Sequence, residues 1–144
     1  MRAAYVASGL VAAGIAMTPA LVPAATAVPA GGHRLTVGTR HGDGHTVLEA
    51  KGKFVYTHLT ASGKDPGCNA SCRKIWPLVL SPGAPRAAGG VKARKLGVDR
   101  HGQVTYFHHR LYFFTYDTTT LSNGKHVTSF GGKWQLVTIN GGVG

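Results

Sequence analysis

The sequence predicts a mostly β protein: a small antiparallel sheet or sandwich built from two unequal repeats, with a short helical turn near a cysteine pair. The first observation behind this prediction is that short runs of β-branched and aromatic residues alternate with turn residues, and the 144-residue chain carries 21 glycines. The second observation is that strand-like segments in the two halves resemble one another, which indicates an internal duplication.

Strands in the first half are predicted to be short and to lie close together along the chain. In the run 53–59, Phe54, Tyr56 and His58 share one face of a strand, while Val55 and Leu59 share the other. Glycine and aspartate mark the intervening turns. Strands are predicted over 34–39, 46–50 and 53–59, and turns over 40–44 and 51–52.

A helical segment and a long loop follow. Residues 69–75 are predicted to form one or two helical turns, which Trp76-Pro77 ends because proline disfavours helix in the residue before it. After a short apolar strand at 78–80, the segment 81–95 is rich in proline, glycine and alanine. This loop is the best candidate for an internal boundary.

The second half repeats the alternation of strands and turns. His108-His109 is predicted as a hairpin tip, and the run after it is apolar on both faces, as in a central strand covered on both sides. The predicted elements are strands over 96–98, 103–107, 110–116 and 134–139, a turn over 99–102 and a loop over 118–132.

The two halves align at two places. Gly52–Tyr56 matches His108–Tyr112, and Trp76–Val79 matches Trp134–Val137. Because a repeat unit rarely buries its apolar face alone, the two copies are expected to cover each other. We therefore predict one β-rich domain over 35–144, with repeat one at about 45–80, a linker at 81–95 and repeat two at about 96–139.

The N-terminal residues are predicted to be a targeting signal. Residues 1–27 combine Arg2, a short apolar core and a small-x-small ending at Ala27, as a secretory signal peptide does. Residues 28–34 then form a flexible leader. Cleavage leaves 117 residues with a net charge of +10. With no cysteine near the cleavage point and no membrane-spanning segment in the mature chain, a secreted protein without a lipid anchor is expected.

The two cysteines, Cys68 and Cys72, are expected to form a disulfide in an oxidising compartment. Their closed loop is tiny, so the bridge should pin one turn rather than hold the whole domain. A redox-active pair is the alternative, although such pairs usually have a two-residue spacer. A zinc site would need two further ligands from elsewhere in the chain.

The positive charge favours anionic partners such as an anionic cell-envelope polymer, and a protein partner is also open. The basic residues are spread along the chain, with a mild cluster at Lys92, Arg94 and Lys95. A solvated, solubilising surface is the alternative. Nucleic acid is disfavoured as a partner, because the aromatic residues that would stack on bases look buried and the predicted address is extracellular.

Eight histidines raise the possibility of a transition-metal site for copper or zinc, which imidazole suits. His41 and His45 lie four apart across a glycine-rich turn and could chelate one ion. His108 and His109 sit together at the predicted hairpin tip. Surface histidines that bind no metal are common, so the alternative interpretation is that the protein has no cofactor.

Enzymatic activity is disfavoured. Only five acidic residues are present, and most fall in predicted turns, so paired carboxylates for general acid–base catalysis are not evident. The sequence contains no nucleophile elbow and no zinc-protease motif. The sequence therefore predicts a non-enzymatic binding or structural module, with histidine-based metal binding as the alternative function.

A set of aromatic motifs carries a family resemblance. The second half contains Tyr112-x-Phe114-x-x-Asp117, Trp76-Pro77 follows the cysteine pair, and Gly-Gly-x precedes Trp134. This order resembles the bacterial secreted-repeat and predicted-lipoprotein family that the motif Tyr-x-aromatic-x-x-Asp marks. The resemblance implies an exported, β-rich repeat protein and no known reaction.

The chain departs from the family pattern in its first copy and at its N-terminus. The first copy reads Tyr56-x-His58-x-x-Ala61, without the aspartate, and the usual lipid-attachment cysteine is missing. We interpret the motif as structural. Tyr112 and Phe114 would bury large ring areas on one strand face, and Asp117 would accept backbone N–H bonds that fix the exit turn.

Overall fold

The computed structural model describes Gly14 and residues 34–143. The predicted signal peptide over 1–27 and the leader up to residue 33 lie outside this range, apart from Gly14. Within it, the chain is mostly β, in small antiparallel sheets, and one short α-helix stands beside the disulfide. The predicted fold class is therefore confirmed.

In residues 34–143, ten short strands form three sheets, and the largest sheet holds the long hairpin of the first half. The orders are β3-β2-β1-β5, β4-β10-β9 and β6-β7-β8, and the pairs are antiparallel except for β5, which runs parallel to β1. The elements are β1 (Thr36–Gly42), β2 (His45–Ala50), β3 (Lys53–Phe54), β4 (Tyr56–Leu59), α1 (Ala70–Ile75), β5 (Arg86–Ala87), a 3₁₀ turn (Ala93–Lys95), β6 (Leu96–Val98), β7 (Val104–Tyr106), β8 (His109–Arg110), β9 (Thr128–Ser129) and β10 (Gly132–Leu136).

Two hydrophobic cores lie on opposite sides of the strand layer. Phe54 and Tyr56 point into an aromatic core that contains both tryptophans, while Val55 between them points into an aliphatic core. Leu111 and Tyr112 divide in the same way. Because successive residues of a strand face opposite sides, a strand between two cores must be apolar at consecutive positions, as these strands are.

Four hairpins use the same two-residue turn, in which both central residues have positive φ. This is the type I′ geometry, whose twist matches that of the flanking strands. The predicted turn at 51–52 is confirmed, and the turn predicted over 40–44 is present but shorter, at 43–44, because β1 continues to Gly42. The central pairs are Asp43–Gly44, Lys51–Gly52, Phe107–His108 and Phe130–Gly131.

The strand predicted over 110–116 is wrong for most of its length. Only Arg110 belongs to β8, while Tyr112 makes single bridges to Tyr56 on one side and Leu78 on the other. The chain then leaves the layer, because the Thr115 N–H and hydroxyl both donate to the Ile75 carbonyl, at 2.9 and 2.8 Å. The segment 78–80 likewise makes isolated bridges only.

The two predicted loops contain short regular elements. The segment 81–95 includes β5 and the 3₁₀ turn, and the segment 118–132 includes β9. The helix predicted over 69–75 is confirmed as α1. It begins after Asn69, whose side-chain oxygen accepts the Cys72 N–H at 2.9 Å, as an N-cap does. No helix in the described part of the chain is long and apolar enough to cross a membrane.

Candidate functional site

The aromatic core is organised around a stack of rings. Trp76 and Trp134 lie face to face, with ring centroids 3.8 Å apart and planes 3° from parallel. His58 stacks on the outer face of Trp134 at 3.9 Å, and Phe114 covers the outer face of Trp76 at 4.2 Å. The two indoles and His58 are fully buried. Trp76 of the family motif thus lies between the motif residues Trp134 and Phe114 and contacts both.

Two tyrosines flank the stack. Tyr56 meets Trp76 edge-on at 5.4 Å, and Tyr112 meets Trp134 edge-on at 5.0 Å. The backbones of these tyrosines pair directly, since each donates its N–H to the carbonyl of the other, at 2.8 and 2.9 Å. Edge-to-face contacts between aromatic rings add stability beyond the area that they bury.

Asp117 closes the loop that follows the motif. Its carboxylate accepts the Tyr56 hydroxyl at 2.7 Å and the backbone N–H of Asn123 at 2.7 Å, with Gly124 N–H at 3.3 Å. The bonds go to residues well beyond the aspartate, so that they hold a loop from 117 to 124 against the aromatic core. A side chain on Gly124 would collide with the rings of Trp76 and Phe114.

Burial dominates the electrostatics of this pair. The pKa of Asp117 is raised, because the desolvation of the carboxylate outweighs the stabilising bonds from Tyr56 and the backbone. The pKa of Tyr56 is raised as well, first by burial and then by the hydrogen bond to Asp117. Both oxygens face partners within the protein, which suits a structural clamp rather than a reacting pair.

Arg40 secures the same loop from the other side, a role that sequence reasoning missed. Its guanidinium stacks over the Phe54 ring at 4.0 Å and donates to the carbonyls of Gly52 and Thr119. The planar guanidinium can make both kinds of contact at once, which a lysine could not. Its neighbours in the sequence, a threonine and a histidine, are polar, so no local pattern indicated its partial burial.

The disulfide between Cys68 and Cys72 is confirmed. Cys72 is fully buried among the residues of the aromatic core, and Cys68 is partly exposed at the start of α1. Arg73 Nε donates to the Cys68 carbonyl at 3.0 Å, so the bridge and this bond hold the same turn.

The structure does not bring the predicted chelating pair, His41 and His45, together. In the β1–β2 hairpin, His41 lies opposite Thr46, and His45 lies opposite Gly42. Directly opposed residues share a face and successive residues alternate, so the two imidazoles are on opposite faces of the hairpin. They cannot hold one ion without breaking the register.

The second predicted histidine pair is separated by a turn boundary. His108 occupies the second position of a type I′ turn and is exposed, while His109 begins β8 opposite Tyr106. The tip is therefore Phe107–His108 rather than His108–His109. Within residues 34–143, no group of three His, Cys, Asp or Glu side chains is placed to hold a metal ion. Copper or zinc binding at His108 and His109 stays a prediction.

His58 is the histidine that the structure sets apart, and its alternation with Phe54 and Tyr56 was the signal for its burial. Its Nε2 lies 2.9 Å from the Ser129 carbonyl, which ties β4 to β9 across β10. Gly132 is required beside it, because an added side chain would meet the imidazole at 2.8 Å. His58 is therefore part of the core.

The basic cluster predicted at Lys92, Arg94 and Lys95 forms an exposed surface around the 3₁₀ turn. The ammonium groups of Lys92 and Lys95 lie 5.8 and 5.3 Å from the centroid of the Phe107 ring. We call these three cations and Phe107 the basic patch. The aromatic ring between two ammonium groups attracts both, and so holds them close despite their repulsion.

No known protein family, curated protein or solved structure matches this chain.

Proposed function

We propose that the chain is an exported, non-enzymatic binding module that holds an anionic cell-envelope polymer through its basic patch. The single observation that carries the proposal is this exposed cluster of Lys92, Arg94 and Lys95. Three neighbouring cations on one short turn produce a local positive potential that a scattered charge does not.

The distribution of the few acidic residues supports the proposal. Asp43 pairs with Lys125, and Asp65 and Asp99 lie beside Arg110. Within residues 34–143, no lysine or arginine other than Arg110 and Lys125 has a carboxylate within 4.0 Å. The three cations of the basic patch therefore have no carboxylate partner within 4.0 Å in this part of the chain and are available to an external partner.

We further propose that the chain is a two-repeat member of the secreted-repeat family that it resembles. The support is that residues matched between the halves meet each other: Tyr56 pairs with Tyr112, and Trp76 stacks on Trp134. Two copies related by a local two-fold axis would bring equivalent positions together in this way. This proposal is independent of the identity of the polymer.

The test of the binding function is the affinity of residues 28–144 for immobilised poly(glycerol phosphate), with neutral dextran as the control surface. We expect binding to the phosphate polymer alone, and a steep loss of affinity with added salt, because exposed charges are screened within about 8 Å at physiological ionic strength. Binding that salt leaves unchanged would contradict the proposal, as would equal binding to dextran.

A matched pair of variants locates the surface. Replacing Lys92, Arg94 and Lys95 with glutamine should weaken binding by about a hundredfold, since each basic side chain contributes about 1 kcal/mol at an anionic surface. The control variant Lys64→Gln, Lys74→Gln, Arg100→Gln removes the same charges from other exposed positions. An equal loss in both variants would show that only net charge matters and would refute the patch.

A further inference from the structure

The fold gives no reason for an aromatic residue at position 130. Phe130 occupies the first central position of the β9–β10 turn with φ of +52°, where asparagine, aspartate or glycine is preferred. The residue is nevertheless 39% exposed, so its ring is only partly buried against the fold. Strained positions that the fold does not need are frequently functional.

Phe130 forms one wall of an open cavity of about 540 Å³, a size typical of small-molecule sites. The opposite wall is the segment around the disulfide. This segment contributes polar groups from Cys68, Asn69 and Arg73. Arg110 also lines the cavity.

The polar groups around this cavity combine donors and acceptors without a large net charge. Arg73 is held in place by its bond to the Cys68 carbonyl. Arg110 Nε lies 3.5 Å from an Asp99 oxygen and 3.9 Å from an Asp65 oxygen. These two carboxylates lie beside Arg110, while Arg73 has none within 4.0 Å among the residues that the structure describes, so the cavity carries less unpaired positive charge than the basic patch.

We propose that this cavity, which we call the Phe130 cleft, binds a saccharide. A sugar ring presents an apolar C–H face, which packs on an exposed aromatic ring, and a rim of hydroxyls that both donate and accept hydrogen bonds. The guanidinium groups of Arg73 and Arg110 and the side-chain NH2 of Asn69 supply donors. The amide oxygen of Asn69, which caps α1 through one lone pair, supplies an acceptor through its second. An anion alone would not need the aromatic wall, and an apolar ligand would not need the arginines.

The disulfide acquires a role in this proposal. Its loop is too small to contribute much to global stability, yet it fixes the turn that carries Asn69 and leads to Arg73. A wall that is rigid before binding loses less entropy when the ligand arrives. Reduction should therefore weaken saccharide binding far more than it lowers the stability of the fold.

A second cavity, of about 490 Å³, begins at Gly131, the residue next to Phe130 in the turn. Thr60, Thr128 and Gln135 supply polar groups along it. The two central residues of the β9–β10 turn thus line different cavities. An oligosaccharide that crosses this turn could occupy both cavities, whereas a single sugar could occupy only one. Affinity should accordingly rise with the number of sugar units.

The experiment is an NMR titration of residues 28–144 with tetrasaccharides of N-acetylglucosamine, glucose and galacturonate, and with the corresponding monosaccharides. At least one tetrasaccharide should shift the resonances of Arg73 and residues 129–131, and should bind more tightly than its monosaccharide. If none of the three tetrasaccharides moves these resonances, the proposal is overturned.

The informative variant is Phe130→Asn, because asparagine suits the turn but removes the ring. We expect it to raise the melting temperature while it weakens saccharide binding by up to about tenfold, the scale of one aromatic contact. Retained affinity in this variant would overturn the proposal. Leu121→Ala, which removes an exposed side chain elsewhere, is the control and should bind normally.

Salt separates this inference from the proposed function. Saccharide binding should persist at salt concentrations that release the phosphate polymer, and should survive the triple substitution of Lys92, Arg94 and Lys95. If both activities disappear with that triple substitution, the Phe130 cleft is not a separate site. Failure of polymer binding alone leaves the cleft intact.

Discussion

Asp117 shows at the scale of a residue how a motif can be structural. Three groups donate to its carboxylate, the Tyr56 hydroxyl and the N–H groups of Asn123 and Gly124, yet the pKa of the carboxyl is raised. Burial therefore outweighs the bonds. The oxygen atoms are needed as acceptors, and their negative charge is not.

We accordingly predict that Asp117→Ala and Asp117→Asn differ in stability. Alanine leaves the buried Tyr56 hydroxyl and two N–H groups without their acceptor, which should lower the free energy of unfolding by about 1–3 kcal/mol. Asparagine keeps an acceptor oxygen for the backbone and can donate to the Tyr56 oxygen, so it should stay within about 1 kcal/mol of wild type. Urea denaturation of the three proteins at neutral pH measures both values.

The raised pKa of Asp117 also predicts how its contribution to stability changes with pH. Because the pKa of Asp117 in the folded protein lies above its ordinary value of 3.8, this group stabilises the fold most below that pH, and its contribution is lost as pH rises through the folded pKa. The pKa values of Asp43 and Asp99 are lowered, so those groups act in the opposite direction. Both groups are present in wild type and in Asp117→Asn, so their effects cancel when the two free energies of unfolding are subtracted. The free energy of wild type minus that of Asp117→Asn should therefore decline as the pH rises. A rising difference would refute this account.

At the scale of elements, the four type I′ turns share one geometry, but only three have glycine at the second central position. His108 is the exception, with φ of +68° and an exposed side chain. Histidine tolerates this conformation less well than glycine does.

His108→Gly should therefore raise the free energy of unfolding by about 0.5–1 kcal/mol, despite the greater freedom of glycine in the unfolded chain. The neighbouring substitution His109→Gly is a matched control. It places glycine inside β8, and a loss of about 0.5–1 kcal/mol is expected. Thermal denaturation of both variants measures the difference, and equal shifts of the melting temperature would contradict the turn geometry.

Local signals explain which elements the sequence could predict. The turn at Lys51–Gly52 and helix α1, bounded by Asn69 and Trp76-Pro77, depend on residues adjacent in the chain. The strand predicted over 110–116 is mostly wrong, because an apolar run is typical of a buried strand but does not by itself specify one. Its departure from the layer depends on Thr115 meeting the distant carbonyl of Ile75, and no local pattern carries such a contact.

At the scale of the whole molecule, the same strands supply both hydrophobic cores. Leu111 belongs to the aliphatic core, and the adjacent Tyr112 belongs to the aromatic core with the tryptophans. Neither core can lose its packing without moving a backbone that the other needs. The two cores should therefore unfold together.

Leu111→Ala tests this coupling. The substitution empties part of the aliphatic core and should lower the free energy of unfolding by about 2–5 kcal/mol. Tryptophan fluorescence, which reports the other core, should shift to lower urea concentration together with the circular dichroism signal. Leu121→Ala, at a side chain that is 59% exposed, should change stability by less than about 0.5 kcal/mol. Separate transitions for the two signals would show that the cores are independent.

The candidate site was less predictable than the fold, for a physical reason. The cysteine bridge and the three cations of the basic patch each lie within a short segment, so the sequence indicates them directly. The Phe130 cleft needs the β9–β10 turn beside the turn at Cys68, and that proximity is a product of the whole chain. The spacing of His41 and His45 did not indicate that they lie on opposite faces of the β1–β2 hairpin. The face of a residue depends on strand register, which spacing does not give.

The stacking of Trp76 on Trp134 has an optical consequence. Indole rings with centroids 3.8 Å apart and nearly parallel planes do not absorb as independent chromophores, because their electronic transitions couple. Coupled indoles contribute their own bands to the far-ultraviolet spectrum, on top of the weak signal of a short-stranded protein. A secondary-structure content fitted to that spectrum from backbone references alone would be misleading, whereas the coupled bands themselves would mark the contact between the two halves of the chain.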